Sequence, residues 1–129
     1  MNERQRAILR DLRSMSSSKA ADWLLARYPP GERDVGEAFV LIPHLSWTRA
    51  DQDRLARGYL KAPRHANPRP YEAFAKLMAL RRLVGILGDN VPETDADRQI
   101  FRYHVTHVLR RAARTDADRE AVESFLATI

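Results

Sequence analysis

Two histidines three residues apart, His104 and His107, stand in a stretch that also holds Tyr103, Arg110, Arg111 and Arg114. At helical spacing these six side chains share one face with Ile100. Arginine and histidine donate charge-assisted hydrogen bonds to anions, and tyrosine offers a flat ring for stacking. A purely solvated face would not ordinarily carry an isoleucine and a tyrosine. The face therefore reads as a partner surface, with Ile100 and Tyr103 as apolar anchors and Arg110, Arg111 and Arg114 pairing with partner acids. The competing reading buries Ile100 and Tyr103 under another helix and leaves the arginines solvated or paired with the acidic segment 93–97.

The two histidines also have the spacing of two ligands on one metal, with Asp97 seven residues before His104 on nearly the same line. No third ligand is assigned, and the nearby arginines repel a cation, so the expectation is no metal site. The turn Pro43-His44-Leu45-Ser46-Trp47 combines an imidazole, a hydroxyl and an indole, but no acid stands at a recognisable triad spacing. There is no glycine-rich phosphate loop, since Gly85 and Gly88 fall at the end of an apolar helix with no strand before them. No catalytic residue and no cofactor are assigned. An enzyme would need one concave pocket gathering Tyr103, His104, His107 and Asp97.

A second basic set is spread along the chain. Arg6, Arg10 and Arg13 line one face of the first helix, and Arg54, Arg57, Lys61, Arg64 and Arg69 lead into and through a proline-rich loop at 62–70. Together with the helix at 98–114 they would suit an anionic partner such as nucleic acid, bound without sequence readout and with strong salt dependence. A groove-reading helix-turn-helix is disfavoured. The last helix carries Asp116, Asp118, Glu120 and Glu123 against Arg119 alone, and phosphates would repel it.

These side chains sit on 129 residues, enough for one domain and one core. Hydrophobic residues make up 44% and charged residues 30%, which excludes a disordered or low-complexity chain. The absence of cysteine excludes disulfide staples, zinc ribbons and thiol nucleophiles. No apolar run approaches the ~20 residues of a membrane span, and Met1–Arg6 leads into no signal-type core, so the expected compartment is the cytoplasm. The net charge is +5, and 19 of the 22 basic residues are arginine. That bias alone carries little weight, because a GC-rich genome would write the same surface. Position matters more: residues 98–114 hold five basic groups and no acid, whereas 115–129 hold one basic group against four acids.

Apolar spacing of three and four residues, punctuated by glycine and proline, predicts an all-α fold. The expected helices span about 3–14, 17–28, 35–42, 49–61, 71–88, 95–113 and 116–128, with a strand as the rival reading for 34–42. Thr48, Thr94 and Thr115, each with Asp three residues later, read as helix caps. The segment 71–88 is apolar around nearly its whole circumference and is expected to be a buried central helix. Arg81 or Arg82 within it would then need a carboxylate such as Glu37, Glu72 or Asp89. The expectation is a compact single domain, 1–129, of six to seven short helices ending in an αα-hairpin. The functional expectation is a small non-catalytic binding or regulatory module of bacterial type, an accessory subunit or immunity-like protein acting through a helical face on a protein partner. The alternative is a nucleic-acid-binding helical protein.

Overall fold

Each of the three threonines caps a helix in the computed structural model, which describes residues 1–61 and 67–129. The backbone N–H groups of Asp51, Asp97 and Asp118 donate to the hydroxyls of Thr48, Thr94 and Thr115 at 3.2, 3.2 and 3.0 Å. Each bond satisfies a donor that the first helical turn leaves free, and each following aspartate lies at the positive end of the helix dipole. The helices opened in this way are α4 (Arg49–Leu60), α7 (Asp95–Ala112) and α8 (Asp116–Thr128). Thr115→Ala should lower stability by about 1 kcal/mol, the usual cost of losing such a cap, measured as a shifted urea midpoint at unchanged slope.

The N-terminal helices start by similar chemistry. Asn2 and Gln5 form a reciprocal capping box at α1 (Glu3–Arg13), and Ser16 caps α2 (Ser17–Arg27). The segment at 34–42 is helical: α3 (Gly36–Leu41) runs into a 3-10 turn, Ile42–His44, in which Pro43 needs no N–H donor. The Trp47 indole N–H donates at 3.0 Å to the Ile42 carbonyl, which also accepts the Leu45 N–H, and so anchors the indole to the start of that turn.

The expected central helix at 71–88 is two helices, α5 (Arg69–Leu77) and α6 (Leu80–Gly88). Met78 is extended (φ −129°, ψ 162°), and Ala79 follows at φ −57°, ψ 132°, which turns the chain between them. The division raises the number of α-helices among the described residues to eight, with no strand. Its cause is the apolar pattern itself. Tyr71, Phe74 and Met78 lie nearly opposite Leu83 and Leu87 when projected on one helix at ~100° per residue. One straight helix would have to bury both sides, whereas the corner turns each stripe toward its own neighbours within the one core.

α5 lies at the centre of the packing, against α3, α4 and α7, while α6 lies against α4 and α8. Edge-to-face aromatic pairs run through it. Phe39 meets Tyr59 at 5.3 Å and Phe74 at 6.5 Å, and on the far side Tyr71 meets Phe101 at 5.9 Å, which meets Phe125 at 6.4 Å. Burial pushes the Tyr71 hydroxyl up to about 12. The Tyr59 hydroxyl, also raised by burial, lies 2.8 Å from the Tyr28 carbonyl and 3.1 Å from that of Leu24, at the end of α2. A side chain of α4 thus ties down the end of α2, where the Leu24 carbonyl also accepts the Tyr28 N–H.

Polar contacts fix the helices' mutual placement. Ser17 and Thr48 both donate to the Asp51 carboxylate, at 2.5 and 2.9 Å, joining the starts of α2 and α4. Arg82 pairs with Asp53 at 3.5 Å and donates to Gln52 on α4, so the expected partners Glu37, Glu72 and Asp89 are not the ones used, and Arg81 is exposed. α7 and α8 pack as a pair joined by residues 113–115, and Arg102 donates to the carbonyls of Leu126 and Ile129 at the end of α8. Among the described residues no helix is long and apolar enough to cross a membrane.

Candidate functional site: the groove between α5 and α7

Helix α7 directs Phe101, Val105, Val108 and Leu109 into the core and leaves the opposite face outside. Ile100 is 44% exposed and Tyr103 65%. Neither is covered by another helix, so of the two readings of this face the outward one describes its position. Large apolar side chains this exposed are few here: among the described residues, Met1 is the other.

The Tyr103 ring stands edge-on to two imidazoles, 5.3 Å from His104 and 5.4 Å from His107. The three rings form one wall of a groove of about 740 Å³ between α7 and α5. Val108 and Ala112 of α7 and Ala75 of α5 supply its apolar lining, and Lys76, Arg111 and Arg114 supply cations. Glu72 is the one carboxylate in the lining among the described residues.

The face read from sequence divides in two. Tyr103, His104, His107, Arg111 and Arg114 belong to the groove, while Ile100 lies one helical turn before it. Arg110 turns the other way and holds Glu123 of α8 through two hydrogen bonds, at 3.0 and 2.9 Å. That contact keeps the Glu123 carboxyl below its ordinary value and raises the Arg110 guanidinium. Of the segment 93–97, Arg98 holds Asp95 at 3.7 Å and reaches the Pro92 and Glu93 carbonyls. Asp97 is buried in the first turn of α7 and is not part of the groove lining, so the four groups an enzyme reading required are not gathered. Among the described residues, no cluster of three or more His, Asp or Glu has the placement to hold a metal.

Sequence reasoning missed Glu72, Lys76, Ala75 and Pro68, which form the α5 side of the groove. Glu72 and Lys76 are four residues apart, which puts them on one helical face. The signal was hidden because 71–88 read as one helix buried all round.

The second basic set is scattered. Arg6, Arg10 and Arg13 line a shallow concavity along α1, where Arg6 donates to the Met1 carbonyl and Arg13 to that of His44. Arg54 is held by Asp22 at 2.6 Å and by the Ser18 carbonyl, and Arg57 by Asp89 at 3.2 Å. Lys61 and Arg69 are exposed, and Arg64, with His65, lies outside the described residues. Compared with family models, with curated proteins and with solved structures, the chain matches none.

Proposed function

We propose that the protein is a small non-catalytic binding module that engages a protein partner through the outer face of α7. The observation that carries this reading is Tyr103, 65% exposed beside two imidazoles and over a groove edged by cations. Large aromatic side chains and arginines supply a disproportionate share of binding energy at protein interfaces. Burying the exposed part of Tyr103 against a partner would remove its apolar area from water.

The test is comparative capture from the native host. Wild-type protein retains its partner, identified by mass spectrometry and re-made as a purified pair. Tyr103→Ala weakens that pair at least tenfold while its unfolding free energy stays within about 0.5 kcal/mol, as for other exposed positions. A Tyr103→Ala chain that unfolds would make the ring structural and remove the reading.

Arg6, Arg10 and Arg13, exposed along α1, favour the alternative of nucleic-acid binding. It ranks second because Arg54 and Arg57 are engaged by acids of the same chain. No shift of RNA or DNA at low salt with micromolar protein would eliminate it.

A further inference from the structure

The cations of α7 and of the short connection after it fall into two groups. Arg98, Arg102 and Arg110 are each engaged internally, by Asp95, by the Leu126 and Ile129 carbonyls and by Glu123. Arg111 and Arg114, together with Lys76 of α5, have no ion-pair partner among the described residues, and all three line the groove. The residues not described, 62–66, contain no acid that could supply one. Three cations without an ion-pair partner among the described residues therefore lie where an apolar lining and an exposed aromatic wall already stand, a combination that the equally unpaired Arg6, Arg10 and Arg13 of α1 do not have.

Resting on the partner reading above, we propose that the groove is the docking site for a short acidic segment of the partner protein. One apolar side chain of that segment seats on Val108, Ala75 and Ala112 against the Tyr103 ring. Carboxylates on either side of it pair with Lys76 and with Arg111 and Arg114. The guanidinium forks suit carboxylates, which they bind through two parallel hydrogen bonds. Glu72 decides between a peptide and a nucleic acid. Its carboxylate repels phosphates and carboxylates alike, but it accepts hydrogen bonds from the backbone N–H groups that a peptide carries between its acids and a phosphate chain does not. The groove also has a volume within the usual ~300–1,000 Å³ range of ligand pockets, room for a few side chains.

The experiment pans a library of random twelve-residue peptides on the full chain and measures the strongest peptide in solution. The selected peptides are expected to carry two or more acids flanking an apolar residue. Their affinity should fall at least tenfold in Lys76→Glu/Arg111→Glu. It should stay within twofold in Lys19→Glu/Arg33→Glu, which makes the same charge change at exposed positions outside the groove lining. Both pairs are exposed, so both variants should stay folded, with the groove variant's thermal midpoint slightly lower because its new carboxylates stand in the last turns of α5 and α7. No enrichment, enrichment of peptides without acids, equal loss in both variants, or no loss in the groove variant would each overturn the proposal. So would a twenty-nucleotide RNA that displaces the peptide. If the peptide arm fails while Tyr103→Ala still loses the captured partner, the groove is excluded and the partner reading stands. If Tyr103→Ala keeps the partner, the partner reading itself falls.

Discussion

Phe74→Ala is expected to lower the unfolding free energy by about 4 kcal/mol, within the usual range for removing a buried phenyl ring. The ring has no solvent exposure and meets Phe39 of α3 edge-to-face, on the helix that also packs on α4 and α7. Its removal takes apolar area out of the core and leaves a cavity at the point where most helices meet, so the walls have little freedom to collapse inward. A domain of this size holds only about 5–15 kcal/mol in total, and the loss should show as a large fall in the urea midpoint and in the thermal transition. Phe74→Leu, which keeps most of the volume, should recover more than half. A Phe74→Ala chain within 1 kcal/mol of wild type would show that α5 is not the centre of the packing.

The second large effect is at Asp51, and it depends on pH. The carboxylate accepts from the Ser17 and Thr48 hydroxyls and lies 3.4 Å from Arg54. The Ser17 hydrogen bond is the largest cause holding its pKa below the ordinary 3.8, joined by the Thr48 hydrogen bond and the Arg54 charge, while burial opposes them. The folded state therefore binds this proton less readily than the unfolded state does. The resulting stability is fully present above the unfolded value and is lost as pH falls through the folded one. Asp51→Asn replaces two charge-assisted hydrogen bonds with neutral ones, an expected loss of about 2 kcal/mol at pH 7. Urea titrations of both proteins should show that gap at pH 7 and its narrowing below about pH 4. A gap that stays constant down to pH 2 would mean that the charge contributes nothing.

Most helix limits were legible because polar side chains mark them. Threonine followed three residues later by aspartate placed the starts of α4, α7 and α8, and Pro29-Pro30-Gly31 marked the end of α2. The corner at Met78-Ala79 was not legible, because neither residue is a breaker and both fit a helix. What divides α5 from α6 is tertiary: α7 and α8 each demand an apolar stripe, and the stripes face different ways. The candidate site followed the same logic. One wall was readable, since Tyr103, His104, His107 and Arg111 lie on one helix and Arg114 directly follows its end. The other wall, Glu72 and Lys76, required knowing that α5 ends at Leu77 with one side left in water. Arg110 was misplaced because a cation's partner on a neighbouring helix, here Glu123, is set by packing and not by spacing along its own helix.

The same corner bears on how the chain reaches its fold. α5 meets α7 and α6 meets α8, so each pair is separated in sequence by a single intervening helix. Loops that short close at small entropic cost, and the four C-terminal helices can interlock two by two before distant parts of the chain meet. One unbroken helix at 71–88 would have had to hold both stripes exposed to water until every neighbour arrived. Divided, it lets a short stretch of chain begin to bury its own apolar surface.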